Sequence, residues 1–181
     1  MQLGERLREA RQRKGWSLRA LGEKTGFSAS FLSQVELGQS SPSLGSLEKI
    51  ATALELSLGA LIAGTPQPSP VLRKARREGV RSEWSKASLE SLVPAGSDEQ
   101  IQSMLLRLDA GGRTGTNRTL AGHKTFAYVT SGRATLLLTD PSEELSVEAG
   151  DSLLIEGPRG ICWQTEASDQ AEVLIVTARV G

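Results

Sequence analysis

Cysteine and histidine are almost absent from this 181-residue chain: Cys162 and His123 are the sole examples. One thiol closes no disulfide within the chain, and a reducing compartment is expected. One imidazole and one thiol also leave a transition metal few ligands, so no metal and no cofactor are expected. Long apolar runs are missing too. Nothing approaches the 18 consecutive apolar residues of a membrane-spanning helix, and Met1 to Leu7 lacks the apolar core of a signal peptide. A cytoplasmic protein with no membrane partner is the expectation. Net charge is lacking as well, at 21 basic against 21 acidic residues, so the total says nothing about partners.

What is present is an asymmetry. Residues 1–86 hold fourteen Lys and Arg against eight acids, and residues 87–181 hold seven against thirteen, so the halves carry about +6 and −6. A basic front and an acidic rear suit a protein that meets phosphate with one end only. The texture changes at Pro66, Pro68 and Pro70, three prolines at alternate positions that favour an extended spacer. Apolar residues recur at helical spacing before it. After it come short β-branched runs split by Gly, Pro and Asp. The expected organisation is an all-α domain over 1–63, a Pro-rich linker over 64–70 and an all-β domain over 71–181.

The front reads as five short helices. Leu3, Leu7 and Ala10 line the first. Ser17 caps the second, over 18–25, and Gly26 stops it. Ser28 caps the third, over 29–37. Ser43, after Pro42, opens a fourth with Leu44, Leu47, Ile50, Ala51 and Leu54 on one face. Ser57 opens a short fifth with Leu58, Leu61 and Ile62. The rear reads as strands over 101–108, 125–129, 134–139, 145–147, 152–155, 161–165 and 172–177. Turns are expected at Gly111-Gly112, Ser131-Gly132, Asp140-Pro141, Gly150-Asp151 and Gly157-Pro158. Many short strands at regular spacing imply a sandwich or barrel.

Two helices joined by a Gly-centred turn match the helix-turn-helix arrangement. The run from Trp16 through Leu18, Leu21, Gly26, Phe27 and Ser28, on to Phe31, Leu32, Val35, Glu36 and Gly38, closely resembles the XRE/Cro repressor-type helix-turn-helix family. Pro42, Ser43, Leu44, Leu47, Ile50 and Leu54 continue the resemblance, which covers about residues 3–62. It implies a regulator of transcription bound to double-stranded DNA. The third helix must then enter a major groove about 12 Å wide and offer small or polar side chains to base edges. Ala29, Ser30, Ser33 and Gln34 lie opposite Leu32 and Val35. Gln34 can pair bidentately with adenine and Ala29 can touch a thymine methyl. Ser28, Ser41 and Ser43 at helix starts, with Arg13, Lys14 and Arg19, are candidate phosphate contacts. The resemblance gives Arg11 and Glu36 a structural part instead, as a buried ion pair between first and third helices. Leu18 departs from the family, many of whose members carry a glutamine there that touches DNA.

From about Val71 onward the chain resembles a single cupin, a jelly-roll β-barrel, with the run 126–132 closing a first cupin motif and Gly150, Asp151 and Ser152 opening a second. The metal ligands of that family fall at Thr119, Ala121, Thr125 and Ile161, none a good ligand, which points to a barrel without metal and without catalysis. His123 shares the strand parity of Thr119 and Thr125, and Trp163 that of Ile161. Thr119, His123, Thr125, Ile161 and Trp163 are therefore the candidate effector pocket. Cys162 falls on the other parity and reads as packing.

A barrel of this kind can sense a small metabolite, or it can only dimerise. A single small head buries roughly 600–1,000 Å² on DNA and binds weakly, so a homodimeric repressor on a palindromic operator is expected. Two other readings remain open: an antitoxin-type autoregulator, and a DNA-tethered cupin enzyme.

Overall fold

The protein is described by a computed structural model covering residues 3–63, 69–94, 100–115, 117–118, 123–157 and 159–179. Five helices come first: α1 (Leu3–Arg13), α2 (Leu18–Thr25), α3 (Ala29–Glu36), α4 (Leu44–Ala53) and α5 (Leu58–Ile62). Four of them start on a serine in extended backbone whose hydroxyl accepts an amide three residues on: Ser17 from Ala20, Ser28 from Phe31, Ser43 from Ser46 and Ser57 from Ala60. Each such bond satisfies a first-turn donor and contributes about 1 kcal/mol. Gly26 ends α2 in the left-handed region at φ 70°, its N–H reaching back 2.7 Å to Gly22 O, and turns the chain into α3. Leu7, Leu21, Leu32, Leu47, Ile50, Leu54 and Leu61 are almost fully buried and form the centre of this head.

A 3₁₀ turn, Lys74–Arg76, leads into nine strands: β1 (Gly79–Ser82), β2 (Ala87–Ser91), β3 (Ile101–Leu108), β4 (Asn117–Arg118), β5 (His123–Thr139), β6 (Glu143–Glu148), β7 (Ser152–Glu156), β8 (Gly160–Gln164) and β9 (Ala171–Arg179). They form two antiparallel sheets that share β5. The larger runs β1-β2-β3-β9-β5-β7 and uses the first half of β5; the smaller runs β6-β5-β8-β4 and uses the second half. The inner faces carry Leu106, Leu108, Val129 and Val173 from one sheet and Ala134, Leu136 and Leu138 from the other, all buried. This is the cupin-type barrel, and the fold is an all-α head followed by an all-β barrel.

The turn expected at Ser131-Gly132 is not a turn. β5 runs straight through it as one 17-residue strand, with a bulge between Val129 and Ser131. Bulges bend a strand and sharpen its twist, and this one carries β5 from one sheet to the other. Gly132 sits at the bend with φ 78°, where a Cβ would stand 1.8 Å from Gln170 O. Three strands, β1, β2 and β4, fall outside the expected ranges because their apolar residues are few: β1 offers only Val80, β2 only Ala87 and Leu89, and β4 none.

Head and barrel touch. Arg6 of α1 forms an ion pair with Glu78 at the entrance to β1, and α5 packs on β2 and β3. A Cβ on Gly59 would lie 3.4 Å from Gln102 Oε1 and 3.8 Å from Met104 Sδ, and one buried apolar cluster takes residues from both head and barrel.

Candidate nucleic-acid interface and barrel interior

The base-reading candidates stand on α3. Ala29, Ser30 and Gln34 are exposed and Ser33 is half-buried, while Leu32 and Val35 on the opposite side are 2 % and 3 % exposed. An eight-residue helix therefore divides into an apolar back that anchors it and an uncharged polar front. Phe31, on α3, packs its ring against that of Phe27 just before the helix, centroids 5.1 Å apart and tilted.

Behind α3 lies the Arg11–Glu36 pair. Arg11 Nε is 2.7 Å from Glu36 Oε1 and Nη2 is 2.9 Å from Oε2, while Nη1 donates to Trp16 O at 2.6 Å. Both side chains are largely buried, at 11 % and 8 % exposure. The bond to Glu36 raises the pKa of Arg11 further, so the cation is permanent. This fork ties α1, the α1–α2 turn and the end of α3 together.

The phosphate candidates divide. Arg13 and Arg19 are exposed, Arg19 at 88 % with Glu23 Oε1 3.4 Å away. Lys14 is half-buried, its Nζ 2.8 Å from Glu55 Oε2 and set over the Trp16 ring. Ser28 and Ser43 act as caps, and Ser41 is exposed just before α4.

In the barrel, Thr119 lies outside the described residues, as does the His123 side chain, although the His123 backbone opens β5 opposite Arg179. Thr125, Ile161 and Trp163 are buried. Register places them on inner faces: Trp163 beside Leu136 and Ile161 beside Leu138 in the smaller sheet, Thr125 beside Ile155 and Thr177 in the larger. Thr125 Oγ1 and Thr177 Oγ1 are 3.1 Å apart and share a hydrogen bond. Ile161 has no donor atom, so neither described position fits the cupin metal set. Among the described residues no three His, Cys, Asp or Glu side chains gather as a metal site.

Sequence reasoning missed what covers Cys162. The segment 113–115 lies over the outer side of β8: Cys162 Sγ donates to Thr114 O at 3.3 Å and accepts from Arg113 Nε at 3.3 Å. Neither Ser85, Gly45 nor Gly115 drew notice in the sequence, yet these residues join barrel to head.

A family model described as a helix-turn-helix domain matches residues 2–63. The HTH-type transcriptional regulator SinR of Bacillus subtilis (strain 168) is 30 % identical over 105 residues, 57 % of this chain and 88 % of SinR. The chain belongs to the helix-turn-helix transcriptional regulators. The HTH-type transcriptional regulator SutR of Escherichia coli (strain K12) is 40 % identical over 68 residues, and the chain spans 38 % of its length. The solved structure of an HTH_3 family transcriptional regulator from Vibrio cholerae superposes with a TM-score of 0.70 at 22 % identity, covering 99 % of this chain and 96 % of that one. The order of helix-turn-helix head and barrel is thus a fold shared with that protein. A helix-turn-helix head of this family implies DNA binding. Among the described residues no helix is long and apolar enough to cross a membrane.

Proposed function

We propose that this regulator is a dimeric, cytoplasmic repressor that reads a palindromic operator with α3, and that its barrel senses a small molecule rather than catalysing a reaction. The observation that carries the DNA reading is the split of α3 into a buried apolar back and an exposed front of Ala29, Ser30 and Gln34, with Ser33 at its edge. A charged front would bind any duplex; an uncharged polar one gains most where base edges match it. Gln34 takes adenine through its amide, and Arg13, Arg19, Ser28, Ser41 and the start of α4 at Ser43 hold phosphates around it.

Dimerisation uses the outer face of the larger sheet. Phe126, Tyr128 and Leu154 are 41 %, 38 % and 58 % exposed. Register sets Leu154, Phe126 and Val176 in one row and Tyr128, Leu174 and Leu105 in the next. A contiguous apolar patch of this kind on a sheet marks an association surface, and a second copy pairs the two heads that a palindrome needs. Against catalysis stands the chemistry of the interior: Thr125 is committed to Thr177, and Ile161 and Trp163 offer no acid, base or nucleophile.

A gel-shift titration tests the assignment. Gln34→Ala lowers the preference for the operator over random duplex by about 1–3 kcal/mol, a loss felt on the specific site alone. Arg19→Ala weakens all sequences alike. Equal losses on specific and random DNA from Gln34→Ala overturn its role in base reading.

A further inference from the structure

The contact between head and barrel falls on the end of α4 that the proposed interface gives to phosphate. Leu44 N–H, a first-turn donor without a partner in its own helix, lies 3.3 Å from Ser85 Oγ in the turn between β1 and β2, in a buried position. One residue on, backbone meets backbone. A Cβ on Gly45 would stand 2.7 Å from Gly115 Cα, and a Cβ on Gly115 would stand 2.3 Å from Gly45 Cα. Glycine at both positions lets barrel and helix approach this closely.

Ser85 and Gly115 belong to one unit, because Arg113 N–H donates to Ser85 O at 2.8 Å. That unit is stitched in turn to β8. Thr114 N–H donates to Trp163 O at 2.9 Å, and Trp163 N–H donates to Thr114 Oγ1 at 2.9 Å. The Trp163 ring points between the sheets. β8 is thus connected to α4 through Thr114 and Gly115, ending in a glycine contact with no side chain to absorb a shift.

We propose that Ser85 and Gly115 form a latch with which the barrel competes against DNA phosphate for the N-terminus of α4. The inference rests on the reading of that terminus as a phosphate site. While the latch is closed, Ser85 holds the Leu44 N–H and the Gly115 backbone covers Gly45. A compound that moves Trp163 opens or tightens it. Linkage is reciprocal, so DNA must loosen the latch by the factor by which the latch weakens DNA.

The test uses the full chain and a duplex that the wild-type protein selects from a randomised pool. Ser85→Ala removes the acceptor, Gly115→Ala forces the two backbones apart, and Trp84→Ala, at a neighbouring side chain 86 % exposed, is the control. Both latch variants bind the selected duplex about five-fold tighter or more, whereas the control stays within about twofold. In the wild type, the duplex speeds hydrogen exchange at the Thr114 and Trp163 amides. The exchange readout needs no variant and stands even where one fails to fold. Latch variants no tighter than wild type, or exchange at Thr114 and Trp163 unchanged or slowed by bound duplex, overturn the latch and leave the regulator reading intact. Failure of the selection to yield any bound duplex overturns the regulator reading and the latch with it.

Discussion

At the scale of single residues, one costly group in the head is Glu48 on α4. Its Oε2 is enclosed and has no hydrogen-bond partner, and burial pushes its carboxyl up from 4.5 to about 8. Such a group favours the neutral form in the fold. Below about pH 4.5 both folded and unfolded chains hold the proton, and stability suffers nothing. Between there and about pH 8 the unfolded chain ionises first, so stability falls by up to about 1.4 kcal/mol per pH unit, and the loss is complete above that window. Glu48→Gln removes the slope. Urea melts at pH 5 and pH 8.5 should separate the two proteins only at the higher pH, with the variant more stable; equal midpoints at both pH values exclude an enclosed Glu48. Arg11 and Glu36 present the opposite case, a buried charge pair with each partner satisfied. Glu36→Ala leaves an enclosed guanidinium without its counter-charge and costs about 3–5 kcal/mol. Replacing both, as Arg11→Met with Glu36→Leu, restores most of that in the same melt. Recovery no better than the single variant counts against the pair as the cause.

At the scale of elements, the bend in β5 is the point on which the barrel turns. Gly132 combines a left-handed φ of 78° with a carbonyl 1.8 Å from where a Cβ would stand. Gly132→Ala is expected to cost more than about 2 kcal/mol, since backbone strain and overlap add, and thermal melting of the variant measures it. A loss under half that size means the bulge can slide to another residue. The same bend shows where sequence reading ran out. Gly in a run of β residues signals either a turn or a bulge, and only the pairing partners, Ala171 at the start of the neighbouring β9 and Gln170 just before it, decide between them. The helices of the head were legible almost to the residue, because serine caps and Gly26 are local chemistry. α3 ends one residue before the expected boundary, with Leu37 as its cap. β1 and β2 were illegible for the converse reason: their pairing, not their composition, makes them strands. The candidate base readers could be named from spacing on α3, whereas Ser85, Gly45 and Gly115 lie 30 to 70 residues apart and carry no local pattern.

At the scale of the whole molecule, the acidic rear and basic front are joined by a continuous core, and the proposed dimer surface is the outer face of the larger sheet. Phe126→Asp puts a charge into the centre of that face without touching the barrel interior, where Ala127 and Val129 point. Sedimentation should show the variant as a monomer of 19.3 kDa. Its affinity for a palindrome should drop towards that for a half-site, since two heads no longer arrive together. A dimer that persists moves the association surface elsewhere.

One further consequence follows from the seventeen residues of β5. A strand that belongs to both sheets is a splice, and neither layer can come apart while the other stays whole. The barrel is therefore one cooperative unit, without a half-melted form in which a single layer survives.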